Sequence, residues 1–140
     1  MPAPALSDPN TVKVYDIAPT TCQDLIDRVK AATGMEHLRV TNGPRDRMIT
    51  RAGLPWGGLG LFVNVSYVQS LIAHDCQLLI AGESDNYGFR FAVDAGLDMI
   101  ETSHGVSENP GLRHFGRVLQ SKFPEVSVVF YENPLAFSVA

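Results

Sequence analysis

The segment Glu101-Thr102-Ser103-His104-Gly105-Val106-Ser107-Glu108-Asn109-Pro110-Gly111 carries the densest set of side chains able to do chemistry. His104 and Glu108 stand four positions apart, just beyond Asp98 to Thr102, a run that reads as a buried strand. An imidazole nitrogen and a carboxylate at that spacing can converge on one divalent ion. The place fits as well, because open α/β sheets bind ligands in the crevice above the carboxyl ends of their strands. In the plainer reading, His104 caps a loop and Glu108 only favours the positive end of the next helix dipole. Gly82-Glu83-Ser84-Asp85 follows the preceding apolar strand at the equivalent position, which makes Glu83 a third candidate ligand facing the same crevice. Equally, Ser84 or Asp85 caps a helix there and Glu83 is solvated.

A second kind of chemistry is suggested by Gly57-Gly58-Leu59-Gly60, set between a strand and a helix. The backbone N–H groups of Gly57, Gly58 and Gly60 could receive a phosphate or nucleotide. The stretch lacks the Lys-Ser/Thr of a P-loop and does not complete the dinucleotide fingerprint. A tight turn that needs glycine for positive φ explains it too. Trp56 beside it is either a ligand platform or packing. His37, His74 and His114 have no spacing that marks a site, and no Gly-x-Ser-x-Gly or Cys-His signature supports covalent catalysis.

Alternating β-rich and helical patterns position these residues. Thr11 to Ile17 reads as a strand, and Cys22 to Thr33 as a helix with Thr21 and Asp24 at its start and Gly34 as its stop. His37 to Thr41 and Arg47 to Arg51 are short strands around the Asn42-Gly43-Pro44 turn. Leu61 to His74 forms a second helix with Leu61, Val65, Val68 and Ile72 on one face. Gln77 to Ala81 is an apolar strand covered on both sides. Asn86 to Ala95 is a third helix. A fourth opens with Asn109 as N-cap and Pro110 as first residue, runs to about Lys122, and has Leu112, Phe115, Val118 and Leu119 as its inner stripe. Val126 to Tyr131 is the final strand. Such an order predicts an α/β fold, a single domain over residues 11–140 with a mostly parallel or mixed sheet and helices on its faces. Residues 1–10, with three prolines, read as a flexible N-terminal arm.

Composition bounds the function. A chain of 140 residues with 45% apolar and 19% charged content is globular, and its net charge of −4 gives no reason to expect nucleic acid or an anionic membrane as partner. Two cysteines, Cys22 and Cys76, are too few for a disulfide framework and read as reduced thiols. No apolar run approaches the roughly 18 residues that span a bilayer, and the first residues do not form a signal peptide. The expectation is a cytoplasmic protein.

Leu79-Ile80-Ala81-Gly82-Glu83, Ala92 to Ile100 (AVDAGLDMI) and Ser103-His104-Gly105-Val106-Ser107-Glu108 together resemble the C-terminal portion of the Nif-three-like (NGG1p-interacting-factor-three-like) proteins. This is the dinuclear-metal-centre family whose bacterial members are often labelled GTP cyclohydrolase I type 2 homologues. Its pattern is a strand ending Thr-Gly-Asp/Glu, a helix, a strand, then Gly-His-x-x-(Ser/Thr)-Glu. The glycine turn and Lys122-Phe123-Pro124-Glu125-Val126 are similar to the family as well, so the likeness covers residues 20 to 134. It implies a Nif-three-like half-fold, self-association into a dimer or larger ring, and a divalent metal (zinc, manganese or iron) on His104 and Glu108. In full-length members an N-terminal half supplies a His-His pair and an Asp that complete the centre; this sequence has no adjacent histidines, and Ser103 replaces the motif's glycine. Three functions follow as expectations. One is a binding or regulatory module with a degenerate metal site that acts on protein partners. The second is a divalent-metal-dependent hydrolase whose site forms across a homodimer. The third is a phosphate or nucleotide binder.

Overall fold

The computed structural model describes residues 6–7, 13–55, 58–59 and 61–133. In chain order the elements are β1 (Leu6–Ser7), β2 (Lys13–Thr21), α1 (Cys22–Thr33), β3 (Arg39–Val40), β4 (Met48–Gly53), β5 (Gly58–Leu59), α2 (Leu61–Ala73), β6 (Leu78–Ala81), β7 (Glu83–Ser84), α3 (Asn86–Asp94), β8 (Asp98–Glu101) and α4 (His104–Lys122). Six strands form one sheet in the order β1-β2-β4-β6-β8-β3, and β5 pairs with β7 in a separate two-stranded ribbon. The centre, β4-β6-β8, is parallel. β2 joins it antiparallel to β4, β3 antiparallel to β8, and β1 antiparallel to β2. This is the α/β single domain with a mixed sheet that the alternating patterns predict. Of the stretch expected to be an arm, Leu6–Ser7 pair with Val14 and Lys13; the rest lies outside the described residues.

Local sequence explains most of the boundaries. Thr21 caps α1 by accepting a bond from Asp24 N–H (3.0 Å), and Gly34, at φ 74°, closes it. Asp85 caps α3 by accepting from Gly88 N–H at 2.6 Å. In β2 the register against β4 shifts between Asp16 and Thr20, where Pro19 has no N–H to give the ladder. That strand starts at Lys13 and runs on to Thr21, longer than the Thr11 to Ile17 expected. The strands expected at His37 to Thr41 and Arg47 to Arg51 become Arg39–Val40 and Met48–Gly53.

The core has two layers because side chains alternate across the sheet. On one face Leu78 and Ile100 meet Cys22, Leu25 and Ile26 of α1, with Ile49 and Ala52. On the other, Leu79 and Met99 meet Tyr67, Val68 and Leu71 of α2 and Ala92 of α3. Cys22 and Cys76 are free, buried and in opposite layers. Burial pushes both thiols up, Cys76 to about 11.

Four expectations are corrected here. On α2, Val68 is buried and Ile72 packs against the core as expected, but Tyr67 and Leu71 complete the inward face and Val65 is 37% exposed; the Leu61 side chain lies outside the described residues. Apolar residues occur on nearly every side of that helix, so periodicity does not fix which side turns inward. The fourth helix starts at His104 rather than at Asn109-Pro110. Ser103, at φ 77°, redirects the chain out of β8, and Ser107 N–H bonds Ser103 C=O at 3.2 Å to begin the turns. Pro110 therefore lies inside α4 and costs it one donor. The stripe Leu112, Phe115, Val118 is not an inner one: these residues are 51%, 56% and 36% exposed, and α4 has no buried residue. Both sheet faces are already covered by α1, α2 and α3.

Finally, Val126 to Tyr131 forms no strand. Its alternation is real, with Val128 and Phe130 half-buried and Val129 and Tyr131 exposed, but its partner is α4 rather than a sheet edge. Gln120 donates its amide N–H to Val126 C=O (2.8 Å) and accepts from Val128 N–H (3.0 Å). Arg113 lies over the Phe130 ring and pairs with Glu132.

Candidate functional site

Three elements bring the reactive residues together at the carboxyl ends of the parallel strands. β6 ends at Ala81 and the chain enters β7, so Glu83 stands just past the sheet. β8 ends at Glu101, and the turn at Ser103 sets His104 as the first residue of α4. One helical turn later Glu108 returns to the same side.

His104 lies between two carboxylates. Its Nδ1 is 3.0 Å from Glu83 Oε2 and its Nε2 is 3.2 Å from Glu108 Oε1. Only the imidazolium can donate to both at once, since the neutral ring has a single N–H. The bond to Glu83, aided by the charge of Glu108, holds the imidazole above its ordinary value of 6.5, with slight burial opposing. The folded-state value being raised, this pairing contributes stability below the ordinary imidazole value. The contribution is lost as pH rises through the elevated one. Glu83→Gln is expected to lower the His104 pKa by more than Glu108→Gln does, read from the imidazole Cε1–H shift in an NMR titration. An unchanged titration in Glu83→Gln would refute the contact.

Gly58 of β5 lies beside the imidazole. A Cβ on Gly58 would fall 3.3 Å from His104 Cε1, so a side chain there would require the ring to give by a few tenths of an ångström. Gly57, Gly60 and Trp56 lie outside the described residues.

Beside the ring, Arg39 pairs with Glu101 at 2.8 Å and donates to Ser84 C=O at 3.2 Å. Burial pushes the Glu101 carboxyl up, and the Arg39 charge opposes that. Arg39, Glu83, Glu101 and His104 line a cavity of about 330 Å³. A larger cleft of about 530 Å³ opens on the other side of the first turn of α4, lined by Val29, Thr33, Pro55, Ile80, Thr102 and Glu108. Sequence reading missed Glu101 and Arg39. The signal was available for the former, since Glu101 ends an apolar strand as Glu83 follows one. For the latter it was not, because Arg39 reaches the site only through the antiparallel pairing of β3 with β8.

The donor set can be tested against a divalent metal. A metal on His104 must take one ring nitrogen and displace the carboxylate there, and the other carboxylate sits at the far nitrogen. Among the described residues no group of three or more His, Cys, Asp or Glu side chains is disposed to hold an ion. One chain thus offers a His and a Glu on a common side, short of the three or four protein ligands usual for a resident metal. A self-contained metal centre does not fit these residues.

His37, His74 and His114 take no part in the site. Among the described residues no helix is long and apolar enough to cross a membrane.

Solved structures share this architecture. A Bacillus cereus protein related to NIF3 superposes with a TM-score of 0.66 at 15% identity, covering 91% of this chain and 36% of its own. A Staphylococcus aureus protein gives 0.68 at 13% identity, with 89% and 36% covered. A Thermus thermophilus protein gives 0.65 at 23% identity, with 89% and 46% covered. The chain therefore spans less than half the length of these relatives. No curated protein matches it by sequence. The family model described as Duf34/NIF3 (NGG1p interacting factor 3) matches residues 10–134. With that span matched and the fold shared, the chain belongs to the Duf34/NIF3 family.

Proposed function

We propose that this chain is a self-associating binding module of the NIF3 type whose metal site is degenerate. The observation that carries the reading is α4, a helix of 19 residues with none buried and an apolar stripe open to solvent. Monomeric proteins rarely leave such a stripe uncovered, and one of this kind marks a surface for protein contact. The site supports the same reading: its imidazole is engaged by carboxylates at both nitrogens, which suits an ion-paired structural cluster better than an open coordination position. A divalent-metal hydrolase would need further donors from a partner. A phosphate or nucleotide site at Gly57, Gly58 and Gly60 draws no support from Gly58, which faces His104.

The test is solution mass together with metal content per subunit on untagged protein after dialysis. The module reading expects a species larger than the monomer with well under one zinc, manganese or iron per subunit. Stoichiometric metal that disappears in His104→Ala would overturn it in favour of the hydrolase.

A further inference from the structure

The exposed face of α4 is spaced symmetrically about Phe115, with opposite charges at its two ends. Glu108, Gly111, Leu112, Val118, Leu119 and Lys122 stand three, four or seven positions from Phe115, which places them with it on one side of a helix. Phe115 is the midpoint. Seven positions before it is a carboxylate and seven after it an ammonium. Leu112 and Val118 stand three positions to either side, and Gly111 and Leu119 stand four. A side chain at Gly111 would meet nothing within 4 Å, so Gly111 is an open notch. Phe123 and Val126, 49% and 51% exposed, extend the apolar surface past the helix end. The adjacent face is already taken: Gln120, Arg113 and Gly116 hold the segment around Val128 to Glu132.

We propose that α4 is the self-association surface and that it packs antiparallel against α4 of a second copy about a two-fold axis at Phe115. The inference rests on the self-associating reading above and names the surface that reading requires. A two-fold sets each position against its mirror about the midpoint. Phe115 then meets Phe115 of the second copy, Leu112 meets Val118, Leu119 enters the notch at Gly111, and Glu108 meets Lys122. The charges choose this direction. A parallel pair would set Glu108 against Glu108 and Lys122 against Lys122, and it would also align the two helix dipoles unfavourably. Glu108 remains able to take part, because its side chain is 45% exposed beside His104.

The arrangement also separates the two His104–Glu108 clusters. At about 1.5 Å per residue, seven positions on either side of the axis place the two Glu108 residues about 20 Å apart along the helices. This dimer therefore does not merge the two clusters into one shared metal centre.

Sedimentation velocity over a range of concentrations, on the full chain, tests the proposal with three single variants and one double variant. Phe115→Glu places two like charges on the axis and should weaken the dimer by about tenfold or more. Glu108→Lys and Lys122→Glu should each weaken it several-fold by repulsion, while the double variant Glu108→Lys/Lys122→Glu should restore it. The circular dichroism spectrum of each variant separates lost association from lost folding, and the double swap keeps the test decisive if one single variant misfolds. Phe115→Cys supplies an independent check, since the two copies should cross-link through that position under mild oxidation. A wild-type dimer indifferent to all three changes would overturn the α4 surface and leave the module reading standing. A wild-type monomer at every concentration would overturn both.

Discussion

Gly43→Ala is expected to destabilise the fold by about 2–4 kcal/mol, although it adds one methyl group in a half-buried turn. The added Cβ would fall 2.1 Å from Asp98 Oδ1. Asp98 is 3% exposed at the start of β8. Its Oδ1 accepts from Thr41 Oγ1 at 3.2 Å, and its Oδ2 meets Arg47 Nη1 at 3.3 Å. Thr41 Oγ1 in turn accepts from Met99 N–H at 3.0 Å. The carboxylate can yield to the methyl only by leaving Thr41, which strands a buried hydroxyl and weakens the half-buried ion pair with Arg47. Urea unfolding should therefore give a lower midpoint with an unchanged slope. The interaction is specific enough for a double-mutant cycle. In an Asp98→Ala background, where the space is vacated, the same glycine substitution should cost much less. Equal costs in the two backgrounds would show that the clash is not with Asp98.

Leu79→Ala should cost about 3–4 kcal/mol, at the upper part of the range for removing a fully enclosed leucine. Leu79 is wholly buried in the middle of β6, against Leu71 and Met99. Its surroundings have no slack. A Cβ on neighbouring Gly53 would come within 2.9 Å of Leu79 Cδ2 and 3.1 Å of Leu71 Cδ2. A leucine held this closely between sheet and helix leaves a cavity that the neighbours cannot collapse into. Against a total stability of about 5–15 kcal/mol, a loss of that size is a large fraction. Val129→Ala, at a position 82% exposed, serves as the control and should shift stability by no more than about 0.5 kcal/mol. Similar midpoints for the two variants would contradict the packing described for the α2 and α3 layer.

These two sites also indicate how far sequence carries. Elements fixed by local chemistry are legible: Thr21, Asp24 and Gly34 bound α1, and the continuous apolar run of β6 is buried on both sides. The grouping of Glu83, His104 and Glu108 is legible too, from the rule that loops above strand ends bring polar side chains into one crevice. What is not legible is anything that depends on which surface remains free. The stripe Leu112, Phe115, Val118 has the composition of a core face, but periodicity cannot reveal that α1, α2 and α3 have already covered the sheet. Asn109-Pro110 carries the ordinary signals of a helix start. The turn at Ser103, stabilised by tertiary placement, overrides it and moves His104 from a loop into a helix. Val126 to Tyr131 alternates as a strand does, yet Gln120 satisfies its backbone from the side of α4. Likewise, nothing in Asn42-Gly43-Pro44 announces a carboxylate arriving from residue 98.

Because the sheet lies between Cys22 and Cys76, the two thiols answer to different events. A reagent that alkylates cysteine reaches Cys22 when α1 lifts from its face, and Cys76 when the α2 side opens. The wild-type protein thus carries two built-in clocks, one for each side of the sheet, and matching or divergent labelling rates would distinguish concerted opening from peeling one layer at a time.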